Sequence, residues 1–285
     1  MVPVSPAGIH SDVLDPPENS IDISPEVQPA DLPVTRISES LPPCDTPTSS
    51  NKRRFFLDVC CGHRAPLSTA VQSLGGDVIQ FDILLHSADD LLDDAAFSKL
   101  LKLAASGSVA YCACSPSCCE YSRLKLKPGG PPALRSPEHL DGIPGISSDD
   151  LCKVQESNLM LERCIQLLQL VISSGGHGHL EQPSSAMSWE EPAVREFIRA
   201  HSCSCIYVAA CGYGKDWYKS WMFASTFSDL QAIAYQCQHP SGSHQSIVGI
   251  RTQSGHFLSR DTAEYPDAYI CRDSHGKYHF AFVVN

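Results

Sequence analysis

RFFLDVCCGHRAPLSTAVQSLGGDVIQFD, residues 54–82, decides the architecture. Its opening run, Arg54–Cys60, is apolar apart from its charged members Arg54 and Asp58 and reads as a buried strand. Pro66, near a first turn, opens a helix over residues 65–74; Gly75-Gly76 ends it, and Val78–Phe81 reads as a second strand closing on Asp82. Further on, apolar residues at 91, 92, 95, 96, 100, 101 and 103 predict a helix over 89–104, with Gly107 beyond its end. Val109–Ala113 is a third strand. Residues 124–148, rich in Gly and Pro, form a long loop of the kind that is functional or disordered inside a compact domain. Asp149-Asp150 stands at an N-cap position, and Leu151, Val154, Asn158, Leu161, Ile165 and Leu168 recur at helical spacing through 151–173. Gly175-Gly176, a strand His177–Glu181, a helix 190–200 and a strand Cys205–Ala210 follow. After residue 212 the alternation weakens, leaving a strand Trp221–Ala224, a helix 227–236 and a terminal strand 278–284. Strands and helices in alternation, with apolar strands, predict an α/β fold: a doubly wound, mostly parallel sheet with a small irregular C-terminal region.

Composition divides the chain. Of its 285 residues, the first 50 hold 8 of the 32 acids, only 1 of the 21 bases (Arg36) and 10 of the 21 prolines. That segment cannot bury enough apolar surface to offset its ordering entropy and is expected to be a disordered acidic tail. Residues 51–225 are expected to form the main domain, completed by a short extension, 226–285. With the tail set aside, the net charge falls from −11 to −4, which argues against a tight, non-specific nucleic-acid binder but leaves room for a local basic groove. No apolar run reaches the roughly 18 residues of a membrane span, and the N-terminus lacks the basic-then-apolar order of a signal peptide. The expectation is an intracellular protein, in nucleus or cytoplasm, and a monomer. Its 14 cysteines are then reduced thiols, serving as small hydrophobes, metal ligands or a nucleophile.

Ligands of doubly wound sheets bind at the carboxyl ends of the strands, and four such ends carry chemistry. Asp58-Val59-Cys60-Cys61-Gly62 runs from strand to turn, with Asp82 ending the next strand 24 residues on, where an acid can hold ribose hydroxyls. Only one glycine of the usual fingerprint is present, so a plain turn is the competing reading. Cys112-Ala113-Cys114-Ser115-Pro116-Ser117-Cys118-Cys119 offers a nucleophilic cysteine in a proline-containing loop; packing, or a metal held by the four thiols, is the alternative. Glu181-Gln182-Pro183 places a glutamate where it can bind an amidine-like base edge or cap the next helix. Cys211-Gly212-Tyr213-Gly214, followed by Lys219, adds a turn and a cation.

In this order, the four segments resemble the cytosine-5 DNA/RNA methyltransferases over residues 54–225, with a fainter echo to 272. Asp58–Gly62, including Cys60, is similar to their cofactor loop, Asp82 to the acid that binds the ribose of S-adenosylmethionine, and Asp90 to the acid near its adenine. Pro116-Ser117-Cys118-Cys119-Glu120-Tyr121-Ser122 resembles the Pro-Pro-Cys-x-x-aromatic-Ser loop, which makes Cys118 the nucleophile and Pro116 a cofactor neighbour. Glu181-Gln182-Pro183 resembles the Glu-Asn-Val motif, and Tyr213-Gly214 with Lys219 the Tyr-Gly…Gln-x-Arg-x-Arg stretch. CCEYSRLKLKPGG, EQPSSAMSW and AEYPDAYIC are similar to methyltransferase-like segments of mobile-element polyproteins.

The resemblance implies a Rossmann-like fold, S-adenosylmethionine as cofactor, and a nucleic-acid partner, DNA ahead of RNA. Cys118 would add to C6 of cytosine, Glu181 would hold its N3/N4 edge, Lys219 would contact phosphate or carbonyl, and C5 would take the methyl group. The alternative is a catalytically inactive binding module of a mobile element that kept the cleft. The chain departs from the family at Ser117, where the second proline is expected, at Lys219 and Trp221, where two arginines are expected, and in its final motif, Thr262–Pro266, which lacks Gly-Asn. About 40 residues separate Ala224 from that motif, too few for the family's target-recognition domain. Outside these motifs, Cys237-x-His239-x4-His244, with Cys203, Cys205 or Cys211 as a fourth member, has ligand types suited to zinc in a spacing unlike a standard finger. Surface histidines are the expected reading there, and no metal is assigned.

Overall fold

The computed structural model describes residues 54–253 except 129 and 241, together with residues 255, 258 and 265. The expected tail and the terminal strand 278–284 lie outside the described residues. In chain order the elements are β1 (Phe55–Val59), α1 (Pro66–Ser73), β2 (Val78–Phe81), α2 (Asp94–Ala105), β3 (Val109–Cys114), α3 (Ser148–Ser173), β4 (His177–Pro183), α4 (Pro192–Ala200), β5 (Ser204–Ala209) and β6 (Ser220–Ser225). The six strands form one mixed sheet in the order β2-β1-β3-β4-β6-β5. β1 pairs in parallel with β2 and β3, and β3 with β4, while β6 runs antiparallel between β4 and β5. The class is α/β with a mostly parallel sheet.

The period-two alternation of the strands builds two cores. Leu57 and Val59 of β1, Cys112 and Cys114 of β3 and Leu180 of β4 face α2, α3 and α4. Phe56, Tyr111, Ala113 and Phe223 face the other way, toward Leu67 and Val71 of α1. Each fully buried aliphatic or aromatic side chain contributes about 1.5–3 kcal/mol, so apolar residues on both faces commit these strands to the interior. None of the helices among the described residues is long and apolar enough to cross a membrane.

Three local expectations are corrected. The helix expected from residue 89 starts at Asp94, because Asp82 and Asp90 draw the amides of Leu84 and Leu92 (both 2.8 Å) into turns and Asp93 caps the helix through the Ala96 amide. The cap of α3 is Ser147, whose Oγ accepts from the Asp150 amide; Asp149 and Asp150 lie in the first turn, where carboxylates favour the helix dipole. The segment expected as a helix over 227–236 is a short 3-10 helix, Ser228–Ile233. β5 is an edge strand, and its free edge captures the next turn of chain: the Tyr235 amide donates to Tyr207 O and the Ala209 amide to Tyr235 O.

The 124–148 loop is ordered around one cation. The guanidinium of Arg135 is fully buried, donates to Leu140 O, Val154 O and Asn158 Oδ1, and lies 3.9 Å over the ring of Tyr121. The Tyr121 hydroxyl donates to the same Asn158 oxygen. Asn158 occupies a helical-repeat position otherwise filled by apolar residues. There it ties α3 to the loop that follows Cys118.

Candidate functional site

The order of the strands fixes where a site can form. From β1 the chain moves outward to β2, then crosses back to β3 on the other side of β1, so the connections leaving β1 and β3 diverge at the carboxyl ends of those strands and open a crevice. A cavity of about 470 Å³ lies there. The residues read from the sequence as catalytic or cofactor-binding, Asp58, Cys60, Gly62, Asp82, Asp90, Pro116, Cys118, Glu181 and Lys219, all line it, whereas Cys211-Gly212-Tyr213-Gly214, which precede Lys219, do not.

One half of the cavity is acidic. Between Cys60 and Ala65 the loop after β1 bends through left-handed conformations at Cys60 (φ 58°), Gly62 (φ 71°) and Ala65 (φ 40°). Glycine adopts such angles without strain; in the other two residues they cost about 1–2 kcal/mol each. The bend turns the Gly62 amide onto Asp82 Oδ2 at 2.8 Å, while Asp82 Oδ1 takes the Leu84 amide. One carboxylate therefore joins the two loops, and each oxygen keeps a second lone pair for a ligand hydroxyl. Asp58 is committed inward: its Oδ2 accepts the Ser68 amide (3.2 Å) and hydroxyl (2.6 Å) at the start of α1. Burial raises its pKa to about 6, against the lowering pull of those two bonds. Asp90 is held in its turn by the Leu92 amide.

The other half carries the thiol, the glutamate and the lysine. Cys118 is half-buried on the loop leaving β3, whereas Cys112 and Cys114 pack in the core on β3 itself. These cysteines do not gather as metal ligands among the described residues. Burial pushes the Cys118 thiol up to about 11; Lys219 pulls it down, and Glu181 and Cys119 push it further up. Glu181 ends near the carboxyl terminus of β4, one place before Gln182, and does not cap α4, which follows Glu191. Burial raises Glu181 to about 7, opposed by the Tyr265 hydroxyl, by Lys219 and by Ser115. Burial lowers the ammonium of Lys219, and the negative forms of Cys118 and Glu181 raise it again. The three groups thus share one electrostatic unit.

Three further residues complete the site. The Tyr265 hydroxyl donates to Glu181 Oε2 at 2.9 Å and lies 3.1 Å from Ser115 Oγ. Its ring meets Trp221 edge-on, with centroids 5.7 Å apart. Gln182, buried, donates from Nε2 to Pro116 O at 2.5 Å and accepts from Ser188 Oγ, tying the end of β4 to the loop that bears Cys118. The sequence signal for Gln182 and Tyr265 is present in EQPSSAMSW and AEYPDAYIC, where both stand beside a residue or motif already marked. Their partners, 66 and 84 residues away, carry no local pattern.

No protein-family model matches the chain, and no curated protein matches it.

Proposed function

We propose that the cavity is the active site of an S-adenosylmethionine-dependent enzyme that methylates C5 of cytosine in a nucleic acid, DNA ahead of RNA, on a Rossmann-like, doubly wound fold. The observation that carries the reading is the meeting of Cys118, Glu181 and Lys219 with Asp58, Gly62, Asp82 and Asp90 in one crevice at the switch point of the sheet.

The acidic half suits the cofactor chemically, since Asp58, Asp82, Asp89 and Asp90 line it and S-adenosylmethionine is cationic at sulfur and at its amine. Bound there, it supplies an electrophilic methyl group. The remaining steps belong to the chain. A cytosine, flipped or already single-stranded, enters beside Cys118. The Cys118 thiol would give up its proton to solvent, its sulfur would bond to C6, and the C5–C6 π electrons would make C5 nucleophilic as N3 takes the proton of Glu181. Glu181, near half-protonation at neutral pH, donates to N3 in its acid form and accepts from the N4 amine in its ionised form. C5 would take the methyl group, leaving the cofactor as a neutral thioether; the C5 proton would then pass to solvent, its electrons would reform the C5–C6 double bond and expel the Cys118 thiolate, and N3 would return its proton to Glu181. Lys219 stabilises the thiolate and offers a cation to carbonyl or phosphate.

A binding module that kept the cleft without turnover is supported by one observation: Cys118 is held as a thiol, about 11, by its burial. Incubation with methyl-labelled cofactor and with DNA and RNA substrates separates the two. The enzyme reading expects label on cytosine C5, abolished by Cys118→Ser; cofactor binding in calorimetry without any transfer would leave the binding module. Absence of cofactor binding removes the cofactor from both.

A further inference from the structure

We infer that Cys211, Cys237, His239 and His244 form a structural zinc site at the edge of the sheet, separate from the proposed catalytic cleft. Cys211 lies in the 3-10 helix Ala210–Tyr213 that follows β5. The chain returning from residue 234 pairs Tyr235 with the edge of β5 at Val208 and thereby delivers Cys237 beside Cys211. The following loop folds back onto the 214–219 stretch, with the Gln245 amide donating to Asp216 O at 2.8 Å, and brings in His244. One ligand atom from each of the four side chains then falls within 4.8 Å of every other.

The spacing is that of a tetrahedron waiting for its centre. Zinc binds thiolate sulfur at about 2.3 Å and imidazole nitrogen at about 2.0 Å, so the S–N edge of a tetrahedral site is about 3.5 Å. Cys237 Sγ is 3.4 Å from His239 Nδ1 and 3.5 Å from His244 Nε2. The two imidazoles, centroids 5.0 Å apart and nearly perpendicular, approach the sulfur from different directions. Two thiolates and two imidazoles are a borderline-soft, four-coordinate set, which selects zinc over magnesium or calcium. Four protein ligands leave no position for water, so the site is structural rather than hydrolytic. Two thiolates also neutralise the dication. Cys203 and Cys205, offered by the sequence as alternatives, are not members of the cluster.

The consequence is mechanical. Between β5 and β6 the chain has no regular structure beyond one 3-10 turn, and that connection ends at Lys219. Zinc would clamp its beginning to the 237–244 loop, stiffening the segment that carries Lys219 to the cavity.

The test is metal analysis of the full chain, purified without a histidine tag from zinc-supplemented cells. About one zinc per chain is expected, since such sites bind tightly at neutral pH. It should be lost in Cys211→Ser and in Cys237→Ser and retained in the Cys203→Ser/Cys205→Ser double variant. Should the single variants fail to fold, cobalt exchanged into the wild-type chain reads the site directly: tetrahedral visible bands and thiolate-to-metal charge transfer are expected, and His244→Asn should shift the visible bands while keeping the charge transfer of the two thiolates. A wild-type chain free of zinc that gives no thiolate charge transfer with cobalt overturns the inference. So does full zinc content in Cys237→Ser, or an intact mass and peptide map showing Cys211 joined to Cys237 as a disulfide.

Discussion

Asp58→Asn separates the electrostatic cost of the cleft from its packing. The Asp58 carboxyl is 1 % exposed and titrates at about 6 instead of 3.8, chiefly because burial disfavours its charge. That difference corresponds to about 3 kcal/mol. Because the folded-state pKa is the higher one, the native protein binds more protons than the unfolded chain between these two values, and stability falls as pH rises through them. The contribution is fully present below 3.8 and lost above about 6. Asparagine keeps an acceptor for the amide and hydroxyl of Ser68 and cannot ionise. The stability of Asp58→Asn minus that of wild type should therefore climb by about 2.5 kcal/mol between pH 4 and pH 8. Any constant offset from the new amide, and the similar downward slope expected from Glu181, cancel in the difference. Urea unfolding followed by the fluorescence of Trp189, Trp217 and Trp221 gives the quantity, provided the urea dependence (m value) is unchanged. A difference that stays flat to within about 1 kcal/mol over this range would refute the burial argument. The carboxylate is retained at a stability cost, and the proposed function names the reason. A negative charge there attracts a cationic cofactor, so the variant should gain stability at neutral pH while binding S-adenosylmethionine more weakly.

Three other outcomes follow from named contacts. In a Cys119→Ser background, alkylation of Cys118 by iodoacetamide, read by peptide mass spectrometry, should rise about tenfold per pH step without levelling below about 11; Lys219→Met should slow it at every pH, and a plateau near pH 8 would contradict the assigned burial. Gln182→Leu should cost about 1–3 kcal/mol in urea unfolding, because it leaves Pro116 O and Ser188 Oγ without their partner, and it should lower methyl transfer more than cofactor affinity. Gly178→Ala should cost about 1–3 kcal/mol, since an added Cβ would lie 2.6 Å from Cys112 O, a backbone atom of the neighbouring strand that cannot step aside; an unchanged unfolding midpoint would show that β3 and β4 are not packed as described.

The strands of the first half were legible because burial on both faces requires uninterrupted apolar runs, and Leu57, Val59, Cys112 and Ala113 supply them. Their carboxyl ends were legible for the same reason, since a charged or reactive residue just past such a run sits at the mouth of the sheet. Asp82, Cys118 and Glu181 were found that way. Contacts that span the sequence were not. Arg135 reads as an unremarkable loop cation until Tyr121 and Asn158 are seen around it, and the only forewarning was a polar residue inside the apolar repeat of α3. The residues 227–236 show how a local pattern loses to a global one: their spacing fits a helix, but the open edge of β5 offers Tyr235 backbone hydrogen bonds that a longer helix would forfeit. Likewise Cys237, His239 and His244 were visible as ligand types. Only the pairing of Tyr235 with β5 shows why Cys211, rather than Cys203 or Cys205, stands beside them.

The charge states within the cleft bear on the order in which it would work. With Cys118 near 11 and Glu181 near 7, moving the thiol proton onto the glutamate is uphill by about 5 kcal/mol in the empty site. Burial opens that gap on the Cys118 side; Lys219 narrows it and Glu181 works against Lys219. The acidic residues that line the other half place a negative field at that end of the cavity. A cation seated among Asp58, Asp82, Asp89 and Asp90 offsets this field, and a base edge whose N4 amine donates to the Glu181 carboxylate partly neutralises the nearest negative charge. Both changes act in the same direction on Cys118. Under the proposed function the nucleophile would therefore be weak when the cleft is empty and strengthen as the two ligands assemble, which would protect the half-buried thiol from oxidation or alkylation between turnovers. The same carboxylates repel phosphate, so a nucleic acid that approached an empty cleft would meet an unfavourable field. Cofactor before nucleic acid is the order that these charges favour.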